Sequence, residues 1–206
     1  MTSASWKKRL LILVLIILGS IAILFPAWIP EDARVVTEDS AVEGLQWVLL
    51  LTAAAFWLGA ARSAFKTGPF YRIMAALCLA GAFGEGDRLF EELFHIQVDY
   101  IFAVLALYVV VSFHRNRRRF PLFFTEITSQ AAAGFFASAL MMIYVLARAL
   151  GSPLLWQATL GKRYHRDIPD TVQGYVELLA CYLLLIGTLG ICLRPRKHDF
   201  TAGEQL

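Results

Sequence analysis

The sequence predicts an all-α, polytopic membrane helical bundle with six transmembrane helices and both termini in the cytoplasm. Of its 206 residues, 58% are hydrophobic and only 17% are charged. The apolar residues form long blocks instead of amphipathic patterns, which is typical of membrane-spanning segments. Because a bilayer offers no water to satisfy backbone polar groups, these blocks are expected to be helices and not isolated strands.

Six apolar segments reach or approach the length of about 20 helical residues that a hydrocarbon core of about 30 Å requires. They cover about residues 10–29, 43–62, 70–90, 98–113, 122–148 and 171–193. The first segment follows three basic residues, as the apolar core of a signal peptide would. However, it is long and lacks a small-residue cleavage site, so we expect an uncleaved first span. No connection is long enough to fold separately, which predicts one membrane domain over residues 1–206.

The charged residues predict the orientation. Of the nineteen lysines and arginines, thirteen lie at alternating segment ends: Lys7, Lys8, Arg9, Arg62, Lys66, Arg72, Arg115, Arg117, Arg118, Arg119, Arg194, Arg196 and Lys197. All of the sixteen acids except Glu126, Asp199 and Glu204 lie at the opposite, outer ends. Because basic ends face the cytoplasm, both termini are expected there. This predicts an integral protein of the plasma membrane, or of the inner membrane in a Gram-negative source.

The same charges limit the partners. The net charge of +3 combines a basic and an acidic end, so it does not indicate nucleic acid. Membrane lipids are expected partners, with anionic head groups near the basic ends, and a membrane-protein partner or a second copy stays open. The cysteines Cys78, Cys181 and Cys192 lie in apolar segments without pairing motifs, which predicts no disulfide. No spacing indicates haem or a di-iron centre, so no cofactor is expected.

Two glutamates at the outer ends lie deep enough to need a partner. Ionisable groups inside a span cost about 2.5–3.5 kcal/mol and usually face protein or water. Glu177 lies seven residues beyond Asp170, about 10 Å into the sixth segment, where no helix cap accounts for it. Glu85 lies about 20 Å along the third segment from Arg72, at similar depth. A stripe of small residues below Glu85 favours close packing of this helix on a neighbour.

We therefore consider an outer-leaflet polar pocket between the second, third and sixth spans. Its members are Glu43, Gln46, Glu85, Arg88, Gln173 and Glu177, with Tyr175 and His165 near its mouth. The alternative is a set of separate helix caps, rim charges and one interhelical ion pair around Arg88. Ser40 and Glu43 fit the capping-box pattern, which supports that alternative. In the inner half, the polar residues cluster from Thr125 to Gln130, where the hydroxyls are expected to bond their own helix backbone.

Three function classes follow from these residues. The first is a binding or accessory membrane protein that holds a cation, a lipid head group or a partner helix. The second is an intramembrane lipid-directed hydrolase or another enzyme that uses outer-leaflet carboxylates. The third is a small-solute or proton-coupled transporter, which needs polar groups through the full thickness. No motif identifies catalytic residues, and the metal candidates His95, His165 and Asp87 are weak because they lack ligand spacing.

Overall fold

A computed structural model of the chain describes residues 31–64, 67–85, 98–165 and 167–193. Every regular element in these ranges is helical, which confirms the predicted helical class for this part of the chain. The elements are α1 (Glu31–Ser63), α2 (Gly68–Glu85), α3 (Val98–Asn116), a 3-10 turn (Arg117–Arg119), α4 (Phe120–Thr128), α5 (Ala132–Met141), a π-helix (Met142–Ala147), α6 (Arg148–Leu150), α7 (Pro153–Leu160), a 3-10 turn (Gly161–Arg163) and α8 (Asp167–Cys192). The first predicted span, residues 10–29, lies outside the described residues.

The described ranges contain four helical segments that are long and apolar enough to cross a membrane. These are Val42–Ser63, Val98–Thr128, Ala132–Leu150 and Asp167–Cys192. A fifth apolar helix, Gly68–Gly84, is shorter. The composition of these helices supports a membrane protein, while six spans and cytoplasmic termini stay predictions.

The helices follow the order α3, α2, α1, α8, α5 across the bundle. α1 packs against both α2 and α8, α3 packs against α2, and α5 packs against α8. α1 and α2 are antiparallel, because a Cβ at Gly68 would lie 2.9 Å from the Ala61 carbonyl oxygen and a Cβ at Gly81 would lie 3.3 Å from Leu50 Cδ1. α8 runs parallel to α1, since Gln46 bonds to Gly174 and, one to two turns further along both helices, Leu50 and Cys181 share a buried cluster. We name the ends after the predicted orientation: the outer end holds Gln46 and Gly174, and the inner end holds Gly68.

Glycines bring α5 close to α8. A Cβ at Gly190 would lie 2.5 Å from the Cβ of Ala132, and a Cβ at Gly187 would lie 3.0 Å from the backbone nitrogen of Phe136. The start of α5 therefore meets the end of α8, so these helices are antiparallel. Small residues at such a crossing allow the dispersion contacts that hold helices together in lipid.

The predicted span 122–148 is divided in the structure. α4 ends at Thr128 and α5 begins at Ala132, with a short turn between them. Thr125, Thr128 and Ser129 donate side-chain hydrogen bonds to backbone carbonyls three or four residues earlier, at 2.8, 2.8 and 3.0 Å. These bonds confirm the predicted side-chain to backbone pairing. Because they compete with the helical ladder, they favour a helix end at this polar cluster.

α4 runs along the inner end of the bundle from α3 towards α5. Phe70, at the start of α2, contacts Phe113 of α3 and both Phe120 and Phe123 of α4, with ring centroids 6.5, 5.7 and 5.1 Å apart. Aromatic pairs at such distances stabilise packing beyond the area they bury. α4 is therefore held against the start of α2 and connects one edge of the bundle to the other.

Candidate functional site

A buried amide joins α1 to α8 at the outer end. Gln46 is only 1% exposed, and its Nε2 donates a hydrogen bond to the Gly174 carbonyl oxygen at 3.0 Å. The helices are close here, since Val42 Cγ1 lies 3.7 Å from the position of a Cβ on Gly174. A buried amide is costly unless it is hydrogen-bonded. The bond therefore accounts for the side chain of Gln46 inside the helix pair.

A glutamine and a carboxylate pair one turn further along α8. Gln173 Nε2 donates to Glu177 Oε1 at 2.9 Å, and both side chains are half-buried. Gln173 also contacts Gly151, which follows α6. Among the described residues, the Glu177 carboxylate has no cationic partner. α8 therefore presents one polar contact to α1 and a second polar pair beside Gly151.

The structure changes the interpretation of Glu43. α1 begins at Glu31, so Ser40 and Glu43 lie well inside the helix and cannot form a capping box at its start. The Ser-x-x-Glu pattern misleads because it has the same spacing within a helix as at its beginning. Glu43 is half-buried, lies three residues before Gln46, and has no hydrogen bond or ion pair with another described residue. The capping alternative therefore does not apply to Glu43.

Several predicted members lie at the edge of the site or outside the described residues. His165 is exposed and lies just before α8. Arg88, Asp87 and His95 lie outside the described residues, and only the backbone of Glu85, the last residue of α2, is described. The part of the chain that the structure describes holds no group of three or more His, Cys, Asp or Glu residues suited to a metal ion.

Backbone register gives the position of Glu85 relative to the amide contact. Leu50 lies beside Gly81, since its Cδ1 is 3.3 Å from the position of a Cβ on that glycine. Because α1 and α2 are antiparallel, the step of one turn outward from Gly81 to Glu85 on α2 corresponds to the step of one turn outward from Leu50 to Gln46 on α1. The backbone of Glu85 therefore lies at about the level of Gln46, which brings the outer ends of α1, α2 and α8 together.

A second polar cluster lies at the inner end. The Tyr71 hydroxyl donates to Glu126 Oε1 at 3.0 Å, and Gln130 Nε2 donates to the Glu126 carbonyl oxygen at 3.0 Å. Glu126 and Gln130 stood out in the sequence as polar residues in an apolar segment. Tyr71 did not stand out, because aromatic residues at helical spacing are common in an apolar core. Only the packing of α4 on α2 reveals the bond between them.

Three buried polar atoms at this end have no hydrogen-bond partner within the described part of the chain. They are Trp57 Nε1, Gln130 Oε1 and Thr188 Oγ1. The Trp57 ring centroid lies 5.4 Å from that of Tyr71 and 6.2 Å from that of Phe136. Buried polar atoms are normally bonded to protein or to ordered water. These atoms therefore give the inner end unused hydrogen-bonding capacity.

The two clusters are separated by an apolar layer. Glu177 and Thr188 are eleven positions apart on α8, which corresponds to about 16 Å along the helix. Between them, Leu178, Leu184 and Leu185 are buried, and the latter two pack in the main core with Trp57. The polar groups of the described residues thus concentrate at the two ends of the bundle.

Comparison with protein-family models, curated proteins and solved structures finds no match to this chain. Each cluster holds a carboxylate with one bonded oxygen, Glu126 to Tyr71 and Glu177 to Gln173. Among the described residues, the outer cluster has a second carboxylate, Glu43, on the neighbouring helix α1. The outer cluster is the stronger candidate for a ligand site.

Proposed function

We propose that the protein is a multi-pass membrane binding or accessory protein whose outer-end site holds a cationic group. The site comprises Glu43, Gln46, Gln173 and Glu177, with Glu85 and Arg88 as further members. Its occupant is a metal cation, an ammonium lipid head group or a basic side chain of a partner helix. The observation that supports this proposal is the Glu177 carboxylate, which is held by Gln173 and has no cationic partner among the described residues.

The charges of the site favour a cation. Glu43 and Glu177 lie on neighbouring helices whose outer ends are in contact through Val42 and Gly174. Glu177 lies about one turn deeper than Glu43, and a carboxylate at that depth is costly unless a positive charge or water reaches it. The bond from Gln173 satisfies one oxygen of Glu177, and the second oxygen is free to accept from an ammonium group or to coordinate a metal ion. Carboxylate and amide oxygens are the ligands that hard cations prefer.

Glu177→Gln tests the occupant because it removes the charge and keeps the shape. The full chain in detergent would be titrated with calcium chloride and, separately, with phosphatidylethanolamine, and its melting temperature recorded. We expect one of the two probes to stabilise the wild type, with at least a tenfold weaker apparent affinity in the variant, equivalent to about 1.4 kcal/mol. Asp167→Asn removes an exposed acid at the start of the same helix and should leave the response unchanged. Equal responses of Glu177→Gln and wild type to both probes would refute the proposal.

The ion-pair alternative has a different signature. If Arg88 of the same chain neutralises Glu177, removing either partner alone leaves a charge unpaired and destabilises the protein strongly. The double variant Arg88→Gln/Glu177→Gln would then recover much of the lost stability. Under the binding proposal the occupant and not Arg88 neutralises Glu177, so the double variant should recover little of the lost stability and stay within about 0.5 kcal/mol of additivity. Unfolding of the four proteins in detergent measures this coupling.

An intramembrane enzyme is the second candidate. The observation in its favour is the same contact of Val42 with Gly174, because it holds two helices that each carry a carboxylate close together. Two carboxylates can serve as general acid and general base. Turnover of radiolabelled phospholipid by purified protein, abolished in both Glu43→Gln and Glu177→Gln, would favour this function over simple binding. Absence of turnover with intact cation binding would favour the accessory role.

A further inference from the structure

A cleft opens at the inner end between the start of α2 and the last turns of α3. Its volume is about 480 Å³. The lining residues are Pro69, Arg72, Tyr108, Val111, Ser112, Arg115 and Asn116. The cleft lies on the α3 side of α2, away from the outer-end site and from the packed core around Trp57. Its chemistry is therefore independent of the proposed cation site.

The cleft is positively charged and rich in donors. Arg72 from α2 and Arg115 from α3 are both exposed, and no carboxylate is among the lining residues. Ser112 and Tyr108 add hydroxyl groups, while Asn116 Nδ2 donates to the Ser112 carbonyl oxygen at 2.8 Å. A guanidinium group offers paired donors that match the oxygens of a phosphate. Arg72 and Arg115, which line the same cleft from two helices, are therefore the residues that would hold a phosphate there.

An apolar track leads out of the cleft along α3. Tyr108, Val111 and Arg115 share one helix face with Val104. Within the described structure, Val104 is 67% exposed and Val111 is 45% exposed. A phosphate held by the arginines would thus have an exposed apolar surface directly beside it. Such a combination fits a lipid, whose acyl chain can lie along the helix while its head group binds in the cleft.

We propose that this cleft binds the phosphate of an anionic lipid head group at the inner leaflet. The predicted orientation places Arg72 and Arg115 on the cytoplasmic side, where anionic lipids are attracted by basic residues. Free phosphate has the same oxygen chemistry and is the other source that the cleft accommodates. The track through Val104 distinguishes them, because only a lipid gains from contact with it.

The test measures stabilisation of the full chain in detergent by three probes: phosphatidylglycerol, phosphatidylcholine and inorganic phosphate. A direct hydrogen bond between a guanidinium group and a charged phosphate contributes about tenfold or more to affinity. The double variant Arg72→Gln/Arg115→Gln should therefore bind phosphatidylglycerol about 100-fold more weakly than wild type. The matched control is Arg62→Gln/Arg118→Gln, which removes two exposed arginines of the same end that do not line the cleft. It removes the same charge without these hydrogen bonds, so its affinity should fall much less than that of the cleft variant.

The outcomes separate the alternatives. A preference for phosphatidylglycerol over both other probes, lost only in the cleft variant, supports the lipid site. Equal stabilisation by inorganic phosphate supports the phosphate site with a soluble ligand as its source. Equal losses in the cleft variant and the control would overturn the proposal, since binding would then follow total charge. Arg72→Lys/Arg115→Lys keeps the charge without the paired donors, so full affinity in that variant would overturn the role of guanidinium geometry.

Discussion

A methyl group on Gly151 is expected to disconnect Gln173 from Glu177. The backbone of Gly151 has φ −73° and ψ −4°, a conformation that alanine adopts without strain. The added Cβ would meet the Gln173 amide group, whose Cδ would be only 2.8 Å away, where nonbonded carbons prefer about 3.5–4.0 Å. Because the amide ends a flexible side chain, we expect it to move. Glu177 Oε1 then loses the donor that lies 2.9 Å away.

The expected free-energy change follows from this contact. Hydrogen bonds between side chains in membrane proteins contribute about 0.6 kcal/mol on average and at most about 1.7 kcal/mol. The Ala147 carbonyl oxygen, at 3.1 Å from the new Cβ, adds a small steric cost. Gly151→Ala should therefore destabilise the protein by about 1 kcal/mol. In a Gln173→Ala background the clash with the amide group is absent. The same substitution should then be neutral or should stabilise the protein by up to about 1 kcal/mol, because alanine gives the unfolded chain less conformational entropy than glycine does.

The assay is a double-mutant cycle on unfolding in detergent micelles. Gly134→Ala is the control for the general effect of an added methyl, since no atom lies within 4 Å of its Cβ position. The cation titration proposed for Glu177→Gln would be repeated on Gly151→Ala, where weaker binding is expected with the carboxylate intact. An equal cost of Gly151→Ala in both backgrounds would refute the reasoning, because the effect would not pass through Gln173.

Two further substitutions test the buried hydrogen bonds at the two ends of the bundle. Gln46→Leu removes the donor to the Gly174 carbonyl and should lower the free energy of unfolding by about 0.6–1.7 kcal/mol. Denaturant titration in micelles measures this change. No change would indicate that apolar packing alone joins α1 to α8. Tyr71→Phe removes the donor to Glu126 and should lower the free energy of unfolding by about 0.5–1.5 kcal/mol. The control Tyr108→Phe, at a residue that is 40% exposed, should lower it less. Equal decreases in the two variants would contradict the assigned bond.

The long apolar helices were predictable because their length and composition suffice to define them. The segment 171–193 corresponds to α8 and the segment 43–62 to the later part of α1. The division of 122–148 was not predicted, since polar residues within an apolar segment are compatible with a continuous helix. A residue such as Ser129 can end a helix or lie on the surface of a continuous one. Which of these occurs depends on what α4 and α5 pack against, and no local sequence pattern indicates that packing.

The candidate site was predictable in its residue types but not in its contacts. Glu177 was identified because an ionisable side chain at bilayer depth is costly, and Gln46 was named as a polar member of the same pocket. The partner of Gln46 is a backbone carbonyl of Gly174, and every residue has such a group, so sequence cannot single it out. Gly151 was likewise not identified from the sequence, because glycines are common in the connections between helices. It matters only because the end of α6 lies against Gln173.

The apolar layer between the two clusters bears on the choice between binding and transport. A transported ion needs polar groups or water through the membrane thickness, whereas Leu184 and Leu185 are buried in the core at the middle of α8. Glu177 and Thr188 are about 16 Å apart along this helix, too far for direct transfer of an ion between them. Within the described helices the buried leucines interrupt the polar groups inward of Glu177, so a cation that reaches it from the outer end is expected to leave by the same end. That geometry supports a site that holds its occupant over one that passes it through the bundle.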